Sequence, residues 1–134
     1  MTTELFWLTL TVLMTGLFWL PYILDRIAVR GLIPAITGTD PETTDDQSLW
    51  AKRAIAAHKN AIENLVIFAP AVLVLHALAV STPATQFAAA AYFFARLAHF
   101  LVYTFGIPVL RTLTFAAGWL AQMVLILTAL GWLS

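Results

Sequence analysis

Four long apolar stretches constrain this chain more than any other feature. Of its fourteen Asp, Glu, Lys and Arg residues, eleven fall between Asp25 and Glu63; the others are Glu4, Arg96 and Arg111. Setting these aside leaves runs near the roughly 20 residues that a helix needs to cross a bilayer. They cover about residues 5–24, 60–80, 84–105 and 110–133 of a 134-residue chain. Soluble domains are about 45–50% apolar and about 25% charged. This chain is 61% hydrophobic and 10% charged, which excludes a soluble globule and a disordered segment alike. The reading is a single-domain integral membrane protein. A formal net charge of zero gives no general attraction to nucleic acid. Cysteine is absent, so disulfides, thiolate metal sites and a protein thiol nucleophile all drop out.

The breaks between runs set the expected architecture. Thr82 and Pro83 mark one turn; Gly106, Ile107 and Pro108 mark another. Breaks this short predict antiparallel neighbours, hence an all-α, up-down four-helix membrane bundle. The second helix is expected to begin before its apolar part, near Ser48, as an amphipathic segment. The polar stretch at about 25–47 contains Gly31, Pro34, Gly38 and Pro41, which predicts irregular structure. It is either a solvated connector or a lid over a site. The run Asp45, Asp46, Gln47, Ser48 suits a helix N-terminus, where acidic side chains meet unpaired N–H groups. The first run is not read as a signal peptide: no Lys or Arg precedes it, Glu4 lies ahead of it, and no A-x-A site follows. Arg26, Arg30, Lys52, Arg53, Lys59 and Arg111 all fall on one side, which predicts that both termini face away from the cytoplasm.

Polar groups inside the spans are costly and are therefore functional candidates. In the third span Tyr92, Arg96, His99 and Tyr103 share one helical face, within about 60° of arc. In the second, Asn60, Glu63 and Asn64 cluster on successive turns. Folding the pair at the turn near 81–84 brings Glu63 level with Leu101, within an arginine's reach of Arg96. The expectation is a buried Glu63–Arg96 pair. It is either a structural clasp or one wall of a polar cavity opening at the cytoplasmic half of the bilayer. Ala84, Ala88, Ala91, Ala95 and Ala98 form a small-residue stripe that permits close helix approach. Pro70 is expected to bend the second helix, His76 to be a hydrogen-bonded interface residue, and Gln122 to tie helices together. His58 and His99 differ too much in depth for a bis-histidine haem, and three histidines without clustered carboxylates make a poor metal site.

Three segments carry a family resemblance. They are Arg53-Ala-Ile-Ala-Ala-His-Lys-Asn60-Ala-Ile-Glu63-Asn64, then Phe-Ala-Arg96-Leu-Ala-His99-Phe-Leu-Val-Tyr103, then Gly106-Ile-Pro-Val-Leu-Arg111. The pattern resembles MAPEG, the membrane-associated proteins in eicosanoid and glutathione metabolism, and is closest to the short prokaryotic members. The resemblance implies a homotrimer of four-helix bundles in a prokaryotic inner membrane, with glutathione between subunits as co-substrate. Asn60 and Glu63 would hold polar parts of the tripeptide, Glu63 its amino group. Arg96 would support Glu63 or a carboxylate, His99 would occupy the aromatic position of the motif, and Tyr103 would add a hydroxyl contact. Arg111 matches the arginine that stabilises the glutathione thiolate. The second substrate would be a lipophilic electrophile or hydroperoxide from the bilayer. One departure is Ala56, where catalytic relatives carry arginine; Arg53, one turn earlier, is the candidate replacement. Three readings follow: a glutathione-dependent transferase or peroxidase, a non-catalytic membrane subunit or lipid-binding trimer, and a small proton-coupled transporter using Glu63.

Overall fold

A computed structural model describes residues 1–38 and 46–134. The described residues form six helices: α1 (Thr3–Leu17), α2 (Trp19–Arg30), α3 (Leu32–Thr37), α4 (Leu49–Ala77), α5 (Pro83–Thr104) and α6 (Pro108–Ala129). Four segments are long and apolar enough to cross a membrane, with α1 and α2 together counting as one. A backbone in hydrocarbon must satisfy its own hydrogen bonds, which is why each span is helical.

The breaks between helices have local causes. Phe18 separates α1 from α2, and its N–H reaches back only three residues, to the Thr15 carbonyl at 3.3 Å. Pro21 follows in the first turn of α2 and has no N–H for the Leu17 carbonyl, so the regular ladder cannot run through. Thr82 caps α5 in a reciprocal capping box with Thr85, and Pro83 occupies the first turn. Pro108 likewise opens α6 after Gly106, whose φ is +75°.

The helix that carries the first span continues past residue 24. Helix α2 continues through Asp25 to Arg30, and α3 follows directly, so much of the stretch expected to be irregular is helical. Asp25 can stay helical and 8% exposed because its carboxylate is used elsewhere. It accepts from Ser48 N at 3.0 Å, from Ser48 Oγ at 2.5 Å and from Gln47 Nε2 at 3.3 Å. The start of α4 is thus served by an acidic side chain, as expected, but from 23 residues away. Ser48 itself makes no side-chain capping bond. Asp46 pairs with Arg30 at 2.6 Å, and that hydrogen bond holds the Asp46 carboxyl below the usual carboxylate range. Pro41 and Asp45 lie outside the described residues. Loss of a helix cap costs about 0.5–2 kcal/mol. Asp25→Ala should therefore lower the thermal midpoint of the detergent-solubilised protein, and Asp25→Asn should recover part of the loss.

Packing follows two clusters. One joins Leu8, Phe68, Val72, Leu75, Tyr92 and Leu125, with the Phe68 and Tyr92 rings stacked at 3.8 Å. The other joins Phe18, Ala54, Ala57, Ala61 and Phe100, with Phe18 and Phe100 stacked at 3.9 Å. The alanine stripe is partly used: Ala88 and Ala95 are buried, and Ala84 is exposed. Gly118 of α6 lies against it, where an added Cβ would meet Arg96 Cδ at 3.4 Å and Ala95 Cβ at 3.8 Å. Small residues on both helices let α5 and α6 approach closely.

Candidate functional site

The polar face of α5 divides into a buried clasp and an open cavity. Arg96 is 2% exposed, and its Nη2 donates to Asn60 Oδ1 at 2.5 Å. Asn64 Nδ2 donates to the Asn60 carbonyl at 2.9 Å, and Gln122 Nε2 donates to the Asn64 carbonyl at 3.0 Å. Residues of α4, α5 and α6 are thereby tied around one guanidinium. Gln122 is the interhelical tie expected of it. Arg96 takes Asn60, not Glu63. The depth of the two helices had placed Glu63 within reach, but a step of three residues turns a side chain by about 60° around the axis. Glu63 is exposed on the outer side of α4, and no hydrogen bond or ion pair reaches it among the described residues.

The open part lies towards the turn between α5 and α6. One cavity of about 220 Å³ is lined by Asn60, His99, Tyr103, Arg111, Thr112 and Phe115. A second, of about 150 Å³, is lined by Arg53, Tyr103, Arg111 and the turn that contains Gly106. Tyr103 and Arg111 are common to both. The Arg111 guanidinium lies 4.7 Å from the centre of the Tyr103 ring, a cation–π contact that fixes its direction. His99 is 2% exposed, with its ring 5.6 Å from Tyr103 and 6.1 Å from Phe115.

Gly106 admits Arg53 to this group. A Cβ there would lie 2.7 Å from Arg53 Cζ, and the positive φ is itself strained for any L side chain. Arg53, on α4 one turn before the alanine at position 56, therefore reaches the same cavity as Arg111. No carboxylate pairs with either arginine among the described residues. Two unneutralised cations and a tyrosine on one cavity favour an anion. A left-handed non-glycine residue costs about 1–2 kcal/mol. Gly106→Ala should lower stability by that order in a thermal denaturation series and displace Arg53 from the cavity.

Several contributors were not foreseen. Thr112 and Phe115 line the larger cavity, and Phe115 sits four residues after Arg111, a helical spacing that puts both on one face. Glu4, which precedes the first apolar run, is buried at 3% exposure. His76 is exposed and makes no hydrogen bond among the described residues, contrary to the expected interface role. Tyr92 is buried with its hydroxyl unpartnered, stacked on Phe68 and absent from both cavities.

A model of the MAPEG family matches residues 5–131, nearly the whole chain. No curated protein and no solved structure matches it.

Proposed function

The chain belongs to the MAPEG family, and from that membership we propose that it is a glutathione-dependent membrane enzyme. It joins the tripeptide to lipophilic electrophiles, or uses it to reduce lipophilic hydroperoxides. The observation that carries the reading is the convergence of Arg53 and Arg111, free of any carboxylate among the described residues, on cavities that share Tyr103. Glutathione is an anion whose thiol must lose a proton to react, and a neighbouring cation favours the thiolate. In this assignment Arg53 takes a carboxylate of the tripeptide, supplying the cation that position 56 lacks. Arg111 faces the sulfur, and the Tyr103 hydroxyl and the Asn60 amide hold polar groups between them. Arg96 positions Asn60 from behind. The chain has no cysteine, so the reacting sulfur comes from the ligand.

The second substrate enters from the bilayer. Phe105, Val109, Leu110 and Leu113, close in sequence to Gly106 and Arg111, are exposed, and Phe115 forms part of the larger cavity's wall. The thiolate attacks an electrophilic carbon, a C–S bond forms, and the leaving group departs with its electron pair. With a hydroperoxide, sulfur attacks the terminal oxygen and a second glutathione completes the disulfide, giving alcohol and water.

Each cavity in a single chain is smaller than the roughly 300 Å³ at which small-molecule sites begin. Glu63 is also an exposed carboxylate beside the exposed apolar residues Ile62, Val66 and Ile67 of α4. A charge on a lipid-facing helix surface is unfavourable, by up to about 2.5–3.5 kcal/mol at the bilayer centre, and a partner relieves that cost. Both features support a homotrimer of up-down bundles in which a neighbouring copy covers Glu63 and completes the site, with Glu63 meeting the amino group of glutathione. The basic residues support an inner-membrane orientation with both termini away from the cytoplasm. In proteoliposomes, purified protein should form thioether from glutathione and a lipophilic aryl halide, and native mass spectrometry should count three chains. A folded protein that neither conjugates nor reduces such substrates favours the non-catalytic subunit, a reading to which the part-buried Asn60–Arg96 clasp also lends support.

A further inference from the structure

At the end of α5 remote from Arg111, a carboxylate lies buried without a counter-ion. Glu4 is 3% exposed. Its Oε1 accepts from Ser81 Oγ at 2.9 Å and from Thr85 Oγ1 at 2.5 Å, and its Oε2 lies 3.1 Å from the same Ser81 hydroxyl. Two hydroxyl protons serve a group that offers about four acceptor positions when ionised, so acceptor capacity is left over. No Lys or Arg occurs in residues 1–24, 64–95 or 112–134, and no ion pair reaches Glu4 among the described residues. A buried carboxylic group stays ionised at low cost only where hydrogen bonds and a cation compensate it.

The same carboxylate lines a cavity of about 250 Å³, with walls formed by Val72, Leu75 and Val80 and with His76 among its lining residues. His76 is exposed, so it belongs to the outer part of the lining. The lining thus combines one anion with an apolar wall and a polar rim.

We propose that this cavity binds a primary ammonium group carried on an apolar body, with Glu4 as its counter-ion. A primary ammonium has three N–H donors to fill the open acceptor positions, whereas a quaternary ammonium has none. Val72, Leu75 and Val80 take the adjoining hydrocarbon, and His76 contacts the polar group next to the amine. A divalent cation fits less well: hard cations take six or more oxygen ligands, and no group of three His, Asp or Glu side chains gathers among the described residues. An ethanolamine lipid headgroup and a free long-chain amine share this chemistry. The site is independent of the glutathione reading, since it shares no residue with the Arg53–Arg111 cavity.

The test places the full-length protein in nanodiscs containing equal phosphatidylethanolamine and phosphatidylcholine, and counts retained lipid by native mass spectrometry. A parallel titration uses dodecylamine in detergent, read as a thermal shift. The expected result is about tenfold preference for the primary amine, the equivalent of one modest polar contact. Glu4→Gln should abolish it. His76→Trp, which adds bulk at a lining position and replaces no hydrogen-bond partner of Glu4, should weaken it strongly too, and it decides the matter if Glu4→Gln fails to fold. Retention of the lipid alone, or of dodecylamine alone, supports the site and identifies the source of the amine. Equal retention of both lipids with no dodecylamine shift overturns the proposal, as does preference surviving in a folded Glu4→Gln or His76→Trp protein.

Discussion

Replacing Arg111 with alanine is expected to remove glutathione binding and thiolate formation while leaving the protein folded. Arg111 is exposed, and its ring contact is with Tyr103, so truncation strands no buried partner. Surface substitutions of this kind usually change stability by about 0.5 kcal/mol or less. Loss of a charge-assisted contact to an anion costs about 1.5–3 kcal/mol, or roughly 10- to 150-fold in affinity. The rate should fall further, because the same cation also favours ionised sulfur. Arg111→Lys keeps the charge but not the planar fork, and should fall between the two. The check is a pair of measurements on one preparation: thermal midpoint unchanged, and the ultraviolet thiolate band lost.

Asn60→Leu should produce the opposite profile. The Arg96 guanidinium is 2% exposed, and its Nη2 bonds to Asn60 Oδ1. Arg96 Nε is already unpartnered. Removing the acceptor leaves a buried cation with less compensation, at a cost of about 1.5–3 kcal/mol for a hydrogen bond to a charged group. Membrane and soluble domains alike have only about 5–15 kcal/mol to lose, so the thermal midpoint should fall visibly and expression with it. The double variant Asn60→Leu, Arg96→Leu should recover much of that loss, since replacing both partners by apolar groups is often near neutral. A double-mutant cycle therefore separates a clasp that holds helices from a residue that only touches ligand. If Asn60→Leu is as stable as the parent and differs only in binding, the clasp is not structural.

Much of this was legible in the sequence, and the failures have identifiable physical causes. Spans and turns were readable because bilayer thickness fixes helix length, and because Thr82, Pro83, Gly106 and Pro108 punctuate the chain with strong local signals. The start of α4 near Ser48 was readable for a similar reason. The continuation of α2 through Asp25 was not, because the carboxylate that makes it possible is spent on Ser48, 23 residues later. Depth matching correctly brought α4 and α5 into polar contact, yet it chose Glu63 where the structure uses Asn60. Depth counts residues along the axis and carries no information on rotation about it. The interruption at Phe18 was readable in principle from Pro21. The buried Glu4 was not, since its donors, Ser81 and Thr85, lie 77 and 81 residues away.

The candidate site divides along the same line. Arg53, Tyr103 and Arg111 were named from the sequence, and the structure brings all three to neighbouring cavities. Arg96 was named with them, but the structure places it behind Asn60 and away from both cavities. Residue type and helical spacing nominate a polar face; whether a given side chain on it meets solvent or a neighbouring helix depends on tertiary packing. The role of Gly106 in admitting the Arg53 guanidinium could be found only from the three-dimensional approach of the two.

The central claim is that paired, unneutralised arginines make this an anion site for glutathione. Isothermal titration of reduced glutathione into the detergent-solubilised protein tests it most directly. Saturable binding is expected, lost in Arg111→Ala and weakened when the tripeptide carboxylates are amidated. A folded protein that shows no saturable heat at millimolar glutathione would contradict it.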